Sequence, residues 1–226
     1  MCSNGNASGG TSQLRAPINL FNGLSTDTTD AAAASGYFPA DSCIVAFNTI
    51  VNARGGGGIV LGGTSGGTIQ PKGIVLANNI VKMATGSALY INPSNTALTY
   101  SSEGNLYQAP AGLGTTTSGW TNTTLDFGAR ADGILTAPAV VTDAAINSNN
   151  YTALLNGKDV QIQNRSAIYD VGADELNGSG QVIARPLTSA EVGAGTSASL
   201  PVTLLDFNAK AVGNTTVLTW KVANEI

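Results

Sequence analysis

Two stretches thirty residues apart carry one unusual pattern, and it restricts the folds open to this chain more than any other feature. "CIVAFNTIVNA" (43–53) and "GIVLANNIV" (73–81) each set short aliphatic pairs on either side of a polar corner, Asn48 and Thr49 in the first matching Asn78 and Asn79 in the second. A weaker copy, "SSEGNLYQA" (101–109), places Asn105 26 residues after Asn79. Amides enclosed by apolar residues need hydrogen-bond partners, because burying them unpaired is costly. Self-similarity at a period of roughly 20–50 residues is the signature of stacked repeats. Copies of this content stack as coils, each strand pairing with its equivalent in the next, so that each buries its apolar side on its neighbour. An Asn at the bend tolerates left-handed backbone angles and reaches the equivalent amide one coil away. The expected fold is therefore all-β, a right-handed single-stranded parallel β-helix in which Asn48, Asn78 or Asn79, and Asn105 form a ladder. Hairpin strands with turn asparagines are the competing reading, but hairpins do not require a constant period.

Composition narrows the function classes. Charged residues make up 11% of the 226 residues, well under the roughly 25% usual for soluble domains, which leaves a neutral surface rich in hydroxyls and amides. Net charge is −4 and no basic cluster stands out, so the electrostatic footprint of nucleic-acid binding is missing. There is no histidine, which removes His-based triads and His-ligated metals. Cys2 and Cys43 do not make a disulfide framework, and Cys43, at the head of an apolar strand, reads as a small buried residue. No apolar run approaches the ~18 residues of a membrane span, and "MCSNGNASGG" lacks the charged and apolar segments of a secretion leader. Because a solenoid needs a capped end, Met1 is read as an internal position of a longer natural product.

"LRAPINLFNG" (14–23) reads as a strand closed by an Asn-Gly turn, and residues 24–42 as a projecting loop. Coils continue through "GIVLGG" (58–63) and "ALYINP" (88–93). From 109 to 160 the repeat dissolves into longer turns and a cap, "VQIQNRSAIYDVGADE" (160–175) reads as a last coil with a closing turn, and one helical turn is expected at "TSAEV" (188–192). The domain division expected is coils and cap over 1–195, a linker at 196–200, and a second unit over 201–226. Strand alternation in "LPVTLLDFNAKAVGNTTVLTWKVANEI", with a Gly-Asn turn, makes that unit the beginning of a truncated β-sandwich-like module, since two strands do not form a stable domain alone.

Taken in order, "LRAPINLFNG", "DSCIVAFNTIVNA", "QPKGIVLANNIV", "SSEGNLY", "YDVGADE" and "RPLTSAEVGAG" resemble the second half of polysaccharide lyase family six. That family comprises right-handed parallel β-helix enzymes such as chondroitinase B and many alginate lyases, and the resemblance covers roughly residues 5–195. The last 26 residues resemble the segment that precedes carboxy-terminal sorting modules in type nine secreted bacterial proteins. The resemblance implies a secreted, extracellular or cell-surface bacterial protein that acts on uronic-acid glycans, of alginate or chondroitin and dermatan type, by β-elimination. It further implies a Lys base, an Arg acid in an Arg-His-Gly strand, and calcium or cationic side chains that neutralise the uronate carboxylate. This chain has no His and no Lys ahead of Lys72, so no catalytic residue is assigned in it. Calcium is expected of the full-length protein, with no ligand assignable here. The expected partner is an anionic polysaccharide, with no nucleic acid, no membrane span and a monomeric state.

The candidate substrate-binding residues are Arg15, which matches an arginine ahead of the family's Asn-Gly strand, and Arg54 after the "TIVNA" strand, both suited to pairing with carboxylates. Asn22 and Asn52 are candidate donors to sugar hydroxyls. Lys72 reads as solvated. Asp170, Asp174 and Glu175 lack the spacing of a calcium loop and read as part of a closing turn. A non-catalytic β-solenoid adhesin or glycan-binding module is the alternative function. A pectinase-like hydrolase would need clustered carboxylates, for which Asp126 and Asp132 are the nearest pair.

Overall fold

The computed structural model describes residues 2–3, 16–23, 38–63, 69–94, 96–115, 117–129, 135–180, 203–212 and 215–223. The chain divides into two compact units, Met1–Arg130 with Ile134–Arg185, and Ala131–Gly133 with Pro186–Ile226. The expected linker at 196–200, the helical turn at 188–192 and most of the loop at 24–42 lie outside the described residues.

The first unit is all-β and dominated by parallel pairing. Its strands are β1 (Cys2–Ser3), β2 (Ile18–Phe21), β3 (Ile44–Ala46), β4 (Thr49–Ala53), β5 (Gly57–Gly63), β6 (Ile74–Ala77), β7 (Ile80–Met83), β8 (Ser87–Ile91), β9 (Tyr100–Glu103), β10 (Asn105–Gln108) and β11 (Trp120–Asn122). Every third strand from β2 to β10 pairs in parallel, giving the sheets β1-β4-β7-β10-β11, β2-β5-β8 and β3-β6-β9. The register sets Ile44 opposite Val75 and Thr49 opposite Ile80, an offset of 31 residues where thirty was expected, so Thr49 matches Ile80 and not Asn79, and the corner residue Asn48 falls level with Asn79 and not Asn78. Strands β3 and β4, β6 and β7, and β9 and β10 are each separated by only the corner residues. Corners that short allow one chain to pass from the third sheet into the first at the same height each time.

One core cluster draws on all three sheets: Val45 from β3, Ile50 from β4, Ile59 and Leu61 from β5, Ile74 and Leu76 from β6, Val81 from β7 and Leu89 from β8. Its neighbour in β7, Ile80, turns to the opposite face and packs with Leu125, Ala137, Val141 and Val171. The first sheet is thus buried on both faces, which explains why its strands read as continuous apolar runs instead of alternating ones. The cover on its outer face comes from residues within 123–129 and 135–176, where a last coil was expected at 160–175. Among the described residues there, a four-residue helix α1 (Thr152–Leu155), 3-10 turns, the short antiparallel pair β12 (Gly128–Ala129) and β13 (Leu135–Thr136), and isolated bridges occur, and no parallel strand. The turn at its end comes close enough that a Cβ on Gly172 (φ +94°) would lie 2.5 Å from Ile80 Cδ1 and 2.6 Å from Thr49 Oγ1. Gly172 is held there by its N–H on Asn78 O (2.9 Å) and by Ala173 N–H on Thr49 Oγ1 (2.9 Å).

The amide ladder exists and has a direction. Asn79 Oδ1 accepts from the backbone N–H and the Nδ2 of Asn48, each at 3.0 Å. Asn105 Oδ1 in turn accepts from the backbone N–H (3.0 Å) and the Nδ2 (2.9 Å) of Asn79. Asn79, and not Asn78, is therefore the middle rung, and the left-handed residue is the one ahead of each rung: Phe47 (φ 54°), Asn78 (φ 52°) and Gly104 (φ 63°). Asn78 points away from the ladder and clasps Ile146, accepting its N–H (2.8 Å) and donating to its carbonyl (2.9 Å). Gly104 has to leave room for that clasp, since a Cβ there would sit 2.1 Å from Asn78 Oδ1. Gly104→Ala is expected to lower stability by about 2 kcal/mol, the combined cost of a left-handed alanine and a displaced buried amide, read as a drop in urea midpoint.

Cys43 stands at the head of β3, as expected, but it is half-buried and donates its thiol to Asp41 O (3.3 Å), which corrects its reading as a small buried residue. Among the described residues no helix is long and apolar enough to cross a membrane.

In the second unit, β14 (Thr203–Val212) and β15 (Thr215–Ala223) form an antiparallel hairpin with Phe207 opposite Trp220 and a bulge between Leu204 and Asp206. Both expected strands are present, and Phe207, Leu218 and Trp220 are exposed, Trp220 to 66%.

Candidate functional site

Of the four residues expected to face a glycan, Arg54 and Asn52 are the two that the described structure exposes. Asn52 is the bulged residue of β4, where the register against β7 slips between Val51 and Ala53, and its backbone is left-handed (φ 57°). A bulge re-aims the strand end, so Asn52 and Arg54 both reach solvent while Val51 and Ala53 between and beside them stay buried. Among the described residues nothing pairs with the Arg54 guanidinium. Asn22 is only 4% exposed and its backbone N–H is bonded to Gly63 O (3.1 Å). Arg15 lies outside the described residues. Lys72 is exposed and Asp41 bridges to it in the backbone ladder. Asp126 is exposed, 3.7 Å from Lys82 Nζ, and Asp132 lies outside the described residues.

A dense polar cluster joins two residues of the expected closing turn, Asp170 and Glu175, to Asp143 and Arg165, which the sequence did not single out. Asp143, Asp170 and Glu175 each offer an oxygen within 4.8 Å of the others, the spacing of a cation cage. The geometry around them is already closed. Glu175 Oε2 accepts from Arg165 Nη1 (3.2 Å) and from Asp170 N–H (3.0 Å), and Oε1 accepts from Ser166 N–H (3.1 Å). Asp170 Oδ1 and Oδ2 accept from the N–H groups of Asp143 and Leu176, both at 2.7 Å. Arg165 supplies the cation itself. It donates Nε to Lys158 O, Nη1 to Asp170 O as well as to Glu175, and Nη2 to Gly172 O and Ala173 O, so that each of its five N–H groups is directed at an acceptor. Its face lies 5.1 Å from the Phe47 ring centre and 5.4 Å from that of Tyr169. This cluster is a structural knot that ties the 158–176 segment to the Phe47 corner, and its donor set leaves little for a metal to replace. Burial pushes the Asp170 carboxyl above its ordinary range and the neighbouring Glu175 and Asp143 charges add to that, against the opposing pull of its two backbone donors. Burial likewise lowers the Arg165 guanidinium, while Glu175, Asp159 and Asp170 hold it up.

A second knot lies one corner away. Tyr151 donates its phenol to Glu103 Oε1, and Asn147 Nδ2 donates to Glu103 Oε2 (2.7 Å). Tyr151 also meets Phe47 edge-on, with ring centres 5.9 Å apart. Burial, then the hydrogen bond to Glu103 and its charge, raise the Tyr151 phenol to about 12. A group whose pKa is raised by folding contributes stability that is complete below its unfolded value, about 10, and is lost as pH climbs through the folded value. Alkaline unfolding is therefore expected to steepen between about pH 10 and 12, and Tyr151→Phe is expected to remove that step in a series of thermal melts.

A cleft of about 330 Å3 opens between these knots and the β3–β4 corner, lined among others by Phe47, Asn48, Leu154, Lys158, Asp159 and Val160. Comparison with family models, with curated proteins and with solved structures found no match for this chain.

Proposed function

We propose that this chain is the C-terminal portion of a secreted polysaccharide lyase with a right-handed parallel β-helix fold, resembling polysaccharide lyase family six. In this reading it supplies part of the groove and the cap for a uronate glycan and leaves the catalytic base and acid to coils that precede it. The observation that carries the reading is the pairing of every third strand around an asparagine ladder, with Asn52 and Arg54 presented together at a β4 bulge. A guanidinium that has no partner among the described residues is suited to a uronate carboxylate, and the amide beside it to a sugar hydroxyl. The low charge and hydroxyl-rich composition also support the alternative, a non-catalytic β-solenoid module that binds glycans without turnover.

The purified chain, incubated with calcium and with alginate or dermatan-type glycan, is expected to bind in a direct titration. It is expected to generate no unsaturated product absorbing in the ultraviolet. Arg54→Ala is expected to weaken binding about tenfold, the worth of one charge-assisted contact. Turnover by the chain alone would place the chemistry within these 226 residues, and unchanged binding by Arg54→Ala would remove this residue from the groove. A complete gene product that binds tightly without elimination would favour the alternative.

A further inference from the structure

Three Asn-Gly pairs fall among the described residues: Asn22 with Gly23, Asn156 with Gly157, and Asn177 with Gly178. Such a pair is chemically unstable wherever the glycine nitrogen can reach the asparagine side chain. The nitrogen attacks Cγ and a new N–Cγ bond forms. The Cγ–Nδ2 bond breaks and ammonia leaves with the proton that the nitrogen gave up. Water then opens the succinimide to isoaspartate or aspartate. Glycine favours the step because no Cβ hinders the approach and its backbone rotates freely. Asn156 and Asn177 share the local sequence Leu-Asn-Gly, so any difference between them comes from the fold.

Two of the pairs are locked. Gly23 N–H donates to Ile69 O (2.7 Å), Asn22 is 4% exposed, and a Cβ on Gly23 would meet Pro39 N at 2.1 Å. Gly178 N–H donates to Glu175 O (3.0 Å), and a Cβ there would lie 3.1 Å from both Gln163 Cβ and Glu175 O. In each, the nucleophile has to leave a hydrogen bond and then move through occupied space.

The third pair differs on every count. Asn156 is exposed. Among the described residues nothing accepts from the Gly157 N–H or bonds the Asn156 side-chain amide, and none comes within 4 Å of where a Gly157 Cβ would stand. Asn156 closes α1 in the left-handed region (φ 50°, ψ 33°). Thr152, Ala153 and Leu154 of that helix are exposed, and a helix so short offers little resistance to the rotation that brings Cγ over the nitrogen.

The same turn anchors the buried guanidinium. Gly157 O accepts from the Arg165 backbone N–H (2.9 Å), and Lys158 O accepts from Arg165 Nε (3.1 Å). Isoaspartate at 156 routes the main chain through the former side chain, lengthening it by one atom immediately ahead of both bonds. We propose that Asn156 is a site of spontaneous deamidation, and that the isoaspartate formed there loosens the hold of residues 157 and 158 on Arg165.

The test ages the full chain in mildly alkaline buffer, digests it, and locates conversion by fragment mass and by isoaspartyl methyltransferase labelling. Asn156 is expected to convert at least about tenfold faster than Asn22 and Asn177, whose glycine nitrogens must first be released from a hydrogen bond. In urea the three rates are expected to converge. Equal rates in the folded chain, or a faster rate at either of the other two, overturns the assignment. A lead that Asn156 keeps in urea overturns the role given to the fold. Hydrogen exchange at the Arg165 backbone amide reads the second half of the proposal. It is expected to quicken about tenfold in the aged chain and to stay within about twofold of the parent in fresh Asn156→Asp, which carries the charge without the longer backbone. Unchanged exchange at Arg165 after ageing overturns the loosening, and equal quickening in Asn156→Asp overturns its assignment to the lengthened chain.

Discussion

Arg165→Ala is expected to cost about 3–5 kcal/mol, a large part of the ~5–15 kcal/mol that holds a typical domain together, and to appear as a collapse of the urea midpoint. The reason is asymmetry. The Arg165 and Glu175 side chains are 1% and 0% exposed, and removing the guanidinium strands a carboxylate where water cannot reach it. It also orphans four carbonyls, those of Lys158, Asp170, Gly172 and Ala173, and empties the space between the Phe47 and Tyr169 rings. Arg165→Met refills the volume without relieving the charge, so it is expected to fall nearly as far. Combining Arg165→Met with Glu175→Gln removes the stranded charge and keeps one acceptor oxygen, for the N–H of either Ser166 or Asp170, and recovery of about 1–3 kcal/mol over the single variant is the expected coupling. Additive losses would mean that the ion pair contributes nothing beyond its separate hydrogen bonds. Arg165→Lys keeps the charge but offers three donors in place of five and no planar face for the rings, so it is expected to rescue only part of the loss.

How far such a site can be read ahead of the structure depends on the range of its interactions. The ladder was legible because a polar pair inside an apolar run is anomalous within nine residues of sequence, and its repetition thirty residues on implies a partner. The middle rung stayed ambiguous between Asn78 and Asn79 because the left-handed corner is held by Phe47, Asn78 and Gly104, three residues with no common chemistry. At Phe47 the strained backbone is compensated by tertiary contacts with Tyr151, Tyr169 and Arg165, none of which a local pattern contains. The acidic residues of "YDVGADE" were visible as a turn, but Asp170, Asp174 and Glu175 are all buried, and nothing in the composition of "QNRS" marks Arg165 as their counter-charge. Asn22 shows the reverse failure. An Asn-Gly pair announces a turn, and whether that turn meets solvent depends on Gly63, forty-one residues away, which takes up its backbone N–H. Arg54 and Asn52 were legible as strand-end residues, while the bulge that exposes them depends on the register against β7.

The second large effect is expected at the middle rung. Asn79 is fully buried and its side chain serves both neighbours, accepting twice from Asn48 and donating to Asn105 Oδ1 and to Val45 O (2.8 Å). Asn79→Leu is nearly isosteric and apolar, yet it leaves the Asn48 N–H and the Val45 carbonyl without these partners in the interior. At about 1–3 kcal/mol for each stranded group, a loss of about 3–5 kcal/mol is expected, measured by chemical denaturation. Asn79→Asp separates the two halves of the role: it keeps an acceptor for Asn48 but faces Asn105 Oδ1 and Val45 O with a charge and no donor. It is therefore expected to be the worse variant at neutral pH, and to recover as acid protonates the new carboxyl and restores one donor. Asn48→Leu is the internal control. As the terminal rung it strands only Ala46 O and takes from Asn79 Oδ1 one of its two donors, the backbone N–H of residue 48 remaining, at a half-exposed position, and it is expected to cost less than half as much as Asn79→Leu. Equal losses at the two rungs would show that the stability lies in the apolar strands and not in the amide ladder.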